Sequence, residues 1–136
     1  MPLTLPYPPT MNTYWRRVGS HTLISREGRT FRRNVCALLD GGRRNPPTTG
    51  RIALAMDAFP PDRRRRDLDN LPKSVLDAIG HAGVYADDSQ IDLLVIRRRD
   101  VVPGGRLLVT IEELPLQRCP LCGVPINQKS EEACEN

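Results

Sequence analysis

One proline, Pro72, fixes where a helix of this chain begins and so constrains the chain's most unusual stretch. Proline lacks a backbone N–H, so it is tolerated in the first turn of a helix but not in the interior. The apolar periodicity around Pro72 predicts a helix over about residues 70–80. Asp67 then lies in the segment leading into the helix, and Asp69 lies at or near its cap. Residues two apart on an extended segment point the same way, so these carboxylates are expected to converge.

These acids lie beside the densest positive charge of the chain. Four consecutive arginines precede Asp67, and Lys73 lies one helical turn after Asp69. A second acidic pair, Asp87-Asp88, follows within one helix length. Close carboxylates repel one another, so a fold that brings them together needs a cation there. Oxygen-only ligands suit Mg²⁺ or, in its place, Mn²⁺, which would polarise a phosphodiester and help make hydroxide from water.

Lys73 is a candidate for holding a phosphate oxygen, positioning the attacking water or protonating the leaving oxygen. The alternative role for Asp67 and Asp69 is purely structural, as a helix cap with ion pairs to nearby arginines. That alternative weakens when the arginine run, Lys73 and the second acidic pair are taken together. Three further acids are expected to be structural or solvated: Asp57, Asp77 and Asp92.

Arginine greatly outnumbers lysine and occurs in five runs along this basic chain, whose formal net charge is +4. Arginine matches phosphate bidentately, whereas lysine acts more as a point charge. A single run would fit a solvated basic surface, but five runs make nucleic acid the expected partner. The expected DNA-binding residues are Arg63, Arg64, Arg65, Arg66, Arg16 and Arg17.

Apolar periodicity predicts an α+β domain over residues 1–114, with a mixed sheet of about four strands and two main helices. Besides the helix that contains Pro72, the pattern predicts an amphipathic helix over about residues 26–39. Residues 51–59 read as a central strand. The segments 91–96 and 106–111 alternate and are expected to pair as a hairpin.

The stretches 12–17 and 19–22 are predicted to be loops. In the first of them, Tyr14 and Trp15 either stack on bases or pack against the core. No apolar run approaches the ~18–20 residues of a membrane span, and the N-terminus lacks the pattern of a signal peptide. A cytoplasmic protein with reduced thiols is therefore expected.

Residues 115–136 form a tail of different composition that carries three of the four cysteines. Cys119-Pro-Leu-Cys122-Gly is typical of half a zinc knuckle, and Cys134 is a candidate third ligand of a structural Zn²⁺. The alternative is a disordered acidic tail with free thiols. A redox pair is disfavoured because no strand-to-helix context surrounds the motif. Candidates for the fourth zinc ligand are Cys36, His21, His81, an acid or a residue of another subunit.

Taken together, these motifs resemble the RusA-type Holliday junction resolvases, a family of small crossover junction endodeoxyribonucleases common in phages and prophages. The resemblance covers about residues 3–114. It is carried by Leu5-Pro6-Tyr7-Pro8-Pro9 with Asn12, by Ser25-x-Glu27-Gly28 with Phe31-Arg32, by the block Pro61 to Leu71 with Lys73, by Asp87-Asp88-Ser89-Gln90, and by Gly104-Gly105-Arg106-Leu107.

The resemblance implies a Mg²⁺-dependent homodimer that binds four-way DNA junctions and makes paired, symmetric nicks in DNA recombination and repair. It implies metal binding by Asp67, Asp69 and Asp88, with Asp87 the less certain member of its pair, and an essential Lys73. The expected location is the cytoplasm of a bacterial host or phage-infected cell. An open four-way junction has two-fold symmetry, so a two-fold dimer would present one site to each of two opposed strands.

Two other functions fit the same residues. A non-catalytic branched-DNA-binding protein would use the acids only to organise arginines, and it would bind junctions equally well with or without a divalent metal. A flap or fork nuclease would share the carboxylate site but prefer a different branched substrate.

Overall fold

A four-stranded mixed sheet and two main helices form the domain in the computed structural model, which describes residues 2–39, 46–115 and 118–123. The predicted α+β class is confirmed. Among the described residues, no helix has the length and apolar character needed to cross a membrane. The elements are β1 (Pro2–Leu5), α1 (Met11–Tyr14), β2 (Trp15–Val18), β3 (His21–Ile24), α2 (Arg26–Leu39), β4 (Ile52–Phe59), α3 (Pro72–His81), β5 (Ile91–Arg98) and β6 (Arg106–Glu113).

Strand β4 lies in the interior of the sheet, as predicted, in the order β1-β6-β4-β5. It runs parallel to β5 and antiparallel to β6, so the predicted hairpin of 91–96 with 106–111 is wrong. The connection after β5 instead crosses the end of β4. The Arg99 N–H donates to the Ala58 carbonyl at 2.8 Å, and the Val102 N–H donates to the Pro60 carbonyl at 2.9 Å. These backbone hydrogen bonds fix the crossing, which alternation within β5 and β6 cannot reveal.

The core lies between one face of the sheet and the helices α2 and α3. Alternate residues of β4 are buried while those between them are half-buried, which is the period of a strand with one covered face. Pro72 occupies the first turn of α3, as predicted, because its missing N–H leaves no hydrogen bond unmade there. The core side chains include Phe31, Val35, Ile52, Leu54, Met56, Val75, Ile79, Leu107 and Val109.

The segment predicted as two loops folds instead into the short helix α1 and the antiparallel pair β2–β3. Tyr14 is fully buried and donates a hydrogen bond to Asp77 on α3, so it packs in the core rather than stacking on bases. The half-buried Trp15 meets it edge-on, with ring centroids 5.1 Å apart. Gly28 permits the close packing of α2, since a Cβ there would lie 2.6 Å from the Tyr14 carbonyl oxygen.

Candidate active site

The first two acids lie on the turn that leads into α3. Asp67 has an extended backbone, with φ −91° and ψ 135°, and residues 68–70 form a 3-10 turn. Both acids therefore precede the helix, as predicted. The fully extended lead-in is wrong, however, because the Asn70 N–H bends back to the Asp67 carbonyl at 3.4 Å. Strand-like alternation does not continue across a turn of three residues, so Asp67 and Asp69 do not share a direction through pleating alone.

The second acidic pair divides into two roles. Asp87 caps a 3-10 turn over residues 88–90, accepting the Ser89 N–H at 3.0 Å. Hydrogen bonds from Ser89 lower the pKa of the Asp87 carboxyl. Asp88 lies on the turn itself, directly before β5, and is exposed. Asp88 is therefore the acid of this pair whose carboxylate is not engaged as a cap.

Gln90 anchors the turn that carries Asp88. Only 7% of this residue is exposed. Its side-chain oxygen accepts the N–H groups of Ala86 and Asp87, both at 2.8 Å. Its side-chain nitrogen donates to the carbonyls of Thr48 and Gly50, at 2.7 and 2.8 Å. The sequence analysis gave Gln90 no positioning role, although Asp87-x-x-Gln90 has the spacing of a capping box and was the available signal.

Tyr85 ties the same turn to α3. Its hydroxyl donates to the Leu76 carbonyl at 2.8 Å, and its ring lies against Gly80, where an added Cβ would be 3.3 Å away. Burial raises the pKa of the Tyr85 hydroxyl, and the neighbouring charge of Asp88 raises it further. The turn bearing Asp88 is thus fastened to the helix whose first turn carries the exposed Lys73.

Ion pairing separates the aspartates of the described chain into two groups. Asp57, Asp77 and Asp92 each pair with an arginine, which confirms the structural roles predicted for them. Within the described residues, the remaining candidate acids are exposed and form no ion pair, although the chain is rich in arginine. Those acids are Asp67, Asp69 and Asp88.

These three carboxylates have the donor chemistry that suits Mg²⁺, namely exposed anionic oxygens without a competing arginine. They lie on two turns that meet β5: the 68–70 turn contacts this strand, and the 88–90 turn leads into it. In the part of the chain that is described, no three His, Cys, Asp or Glu side chains are already grouped to hold a metal ion. The acids therefore fit the ion by chemistry and by their neighbouring elements, and their convergence requires rotation of exposed side chains.

The arginine run before Asp67 is not uniform. Arg66 is held in place by Asp62 at 2.6 Å and lies over the Tyr7 ring, 5.8 Å from its centroid. Arg64 is the opposite case, because its side chain is 85% exposed and lies 3.9 Å from the same carboxylate. Four of the expected DNA-binding residues are exposed and form no ion pair with another described residue: Arg63, Arg65, Arg16 and Arg17.

The pairing of Asp62 predicts an acid-sensitive contribution to stability. The hydrogen bond from Arg66, followed by the Arg64 N–H, lowers the pKa of Asp62 from 3.8 to about 2. A folded-state pKa below the unfolded value stabilises the fold above pH 3.8, and that stabilisation is lost as the pH falls towards 2. We expect the stability advantage of the unmodified chain over Asp62→Asn to shrink across this window in urea unfolding. The matched control, Asp100→Asn, removes an exposed carboxylate that has no ion pair in the described residues and should show no such trend.

An open cleft of about 660 Å³ adjoins the arginine run. It is bordered by the proline-rich turn after β1, by α2 and by Arg66. Tyr7 supplies an aromatic wall, and Glu27 and Asn34 supply polar groups from the side of α2. No sequence pattern could have indicated the cleft, because its walls come from segments distant along the chain.

Comparison with known proteins agrees with this geometry. The family model described as endodeoxyribonuclease RusA matches residues 6–112. The crossover junction endodeoxyribonuclease rusA of Enterobacteria phage HK97 is 46% identical over 110 residues, covering 81% of this chain and 92% of that protein. The crossover junction endodeoxyribonuclease RusA of Escherichia coli (strain K12) is 40% identical over 117 residues, covering 82% of this chain and 93% of that protein. The chain therefore belongs to the endodeoxyribonuclease RusA family.

Proposed function

We propose that this protein is a structure-selective endodeoxyribonuclease that resolves four-way (Holliday) DNA junctions in recombination and repair. One observation carries the proposal. Directly after an arginine run, Asp67 and Asp69 remain without an arginine partner among the described residues, and so does Asp88 on the neighbouring turn. The names of the matched relatives, crossover junction endodeoxyribonucleases, supply the class of substrate.

In this proposal Asp67, Asp69 and Asp88 hold Mg²⁺, for which Mn²⁺ can substitute. The bound ion would supply Lewis-acid polarisation of the phosphodiester and a lower pKa for an attacking water. Lys73, exposed on the first turn of α3, binds a phosphate oxygen, orients the water or protonates the leaving oxygen. Gln90 and Tyr85 do not touch DNA; they hold Asp88 in place through the hydrogen bonds of its turn.

The active form in this proposal is a homodimer. A four-way junction presents two equivalent strands related by a two-fold axis, whereas one domain offers one group of acids. A two-fold dimer would present one site to each strand and so produce paired, symmetric nicks. Sedimentation of the full chain at several concentrations tests the assembly, and a monomer throughout, with or without a junction, would contradict it.

The decisive experiment compares a synthetic four-way junction with a linear duplex of the same sequence, each with Mg²⁺ and with a chelator. Paired symmetric nicks in the junction, made only with metal, are expected. Tight junction binding without cutting under any divalent metal would identify a non-catalytic binding protein. Preferential cutting of a flap or a fork would keep the carboxylate site but replace the substrate.

The exposed arginines should carry much of the DNA affinity. Replacing Arg64 and Arg65 together with alanine should weaken junction binding and flatten its salt dependence, because each lost phosphate contact lowers the slope of log K against log salt by about 0.9. Arg97→Ala is the matched control, since this arginine is paired with Asp57 at 2.7 Å. An unchanged salt slope in the double variant would show that Arg64 and Arg65 do not contact phosphate.

A further inference from the structure

A closed turn lies beyond the end of the family match at residue 112. It consists of Cys119-Pro-Leu-Cys122-Gly, and the Gly123 N–H donates to the Cys119 carbonyl at 2.8 Å. Gly123 has φ +70°, a left-handed conformation that glycine adopts without strain. Arg118 closes the loop from the other side by donating to the Gly123 carbonyl at 3.1 Å. The turn therefore places two sulfurs three residues apart on a backbone that folds back on itself.

The two cysteines of this turn differ in exposure, with Cys119 8% exposed and Cys122 exposed. Neither is in a disulfide. A redox pair of this spacing usually opens a helix, but the described residues 118–123 form a turn after β6 rather than a helix start. Paired thiolates on a tight glycine-ended turn are instead the usual half of a structural zinc site.

The structure also narrows the completing ligands. Among the described residues, no third His, Cys, Asp or Glu joins the two sulfurs in a metal-binding group. This argues against Cys36, His21 and His81, which the sequence alone left open as ligands. What remains is Cys134, which lies outside the described residues, or the same cysteine pair on a second copy of the chain.

We infer that Cys119 and Cys122 form half of a structural zinc site that is separate from the carboxylate cluster. The proposed nuclease reaction uses no cysteine, so this inference stands or falls independently of it. On binding Zn²⁺ each thiol releases its proton to water, and no oxidation or reduction takes place. A tetrahedral site completed by Cys134 in the same chain would hold about one zinc ion per chain, whereas a site shared between two copies would hold about half as many.

The test uses the full chain, purified reduced and loaded with Zn²⁺ or with Co²⁺ as a spectroscopic probe. We expect stoichiometric metal after gel filtration and intense thiolate-to-cobalt absorption. Both signals should be lost in Cys119→Ser and in Cys122→Ser. The matched control, Cys36→Ser, removes the half-buried thiol of α2 and should retain both signals.

Cys134→Ser identifies the completing ligand. Loss of about one metal ion per chain would assign Cys134 to the site, and retention of half an ion per chain would assign the second copy. The inference is overturned if the unmodified chain carries no zinc, or if Cys119→Ser and Cys122→Ser carry as much as it does. Circular dichroism of each variant separates loss of the site from loss of the fold, because α2, α3 and the sheet lie outside the turn.

Discussion

Replacing Asp69 by asparagine should abolish junction cleavage and leave junction binding intact. The substitution removes one ligand charge while keeping the size of an exposed side chain. Metal-ion catalysis supplies several kcal/mol of transition-state stabilisation, so the single-turnover rate should fall by about 10³-fold or more. Binding should be unchanged or slightly tighter, because one negative charge is removed beside the arginines and no positive charge is lost. Gel-shift and single-turnover assays on the same junction measure the two effects.

Asp100→Asn is the control for this change in charge. Asp100 is exposed and has no ion pair among the described residues, but it lies in the connection between β5 and β6 rather than on either acidic turn. Its variant should cut at the normal rate. Parallel loss of binding and cleavage in Asp69→Asn, with an intact circular dichroism spectrum, would contradict a purely catalytic role for Asp69.

The parts of the fold set by local rules were predictable from the sequence. Pro72 located the start of α3 because proline is excluded from a helix interior, and periodic apolar residues located α2 at residues 26–39. The interior position of β4 followed from its run of apolar residues without strong polar interruptions. The acids of the candidate site were found by the same local means, since they lie within a few residues of the arginine run.

Features that depend on distant segments were not predictable in this way. Strands β5 and β6 are close in sequence, yet β4 lies between them, and only backbone pairing across the sheet decides this. The role of Tyr14 depends on Asp77, which is 63 residues away. Gln90 likewise reaches the carbonyls of Thr48 and Gly50 from across the fold. Single-sequence patterns contain no information on such partners.

Gln90→Met should lower both stability and cleavage. Methionine keeps the length of the side chain but removes all four hydrogen bonds that fasten the turn before β5. A buried polar group left without a partner costs about 1–3 kcal/mol, and some of the four groups regain water, so the free energy of unfolding should fall by about 3 kcal/mol. The melting temperature should fall by about 10 °C. Urea and thermal unfolding at neutral pH measure these changes.

Asp88→Asn separates anchoring from metal binding on the same turn. Its exposed side chain makes no ion pair with another described residue, so its stability should stay within about 0.5 kcal/mol of the unmodified chain while cleavage is lost. Gln90→Met should instead lose stability and cleavage together and keep junction binding below its melting temperature. Normal cleavage by Gln90→Met would show that the turn does not need this anchor to position Asp88.

Gln90→Glu tests which half of the anchor matters. A carboxyl there still accepts the N–H groups of Ala86 and Asp87, but once ionised it faces the carbonyls of Thr48 and Gly50 without a proton to donate. Burial and these carbonyls should raise the folded-state pKa of the introduced carboxyl above its unfolded value. The variant should therefore be most stable below the unfolded pKa of about 4.3 and lose stability as the pH rises through the folded value. This is opposite in sign to the acid-induced loss expected from Asp62, so a pH series of urea unfolding distinguishes the two.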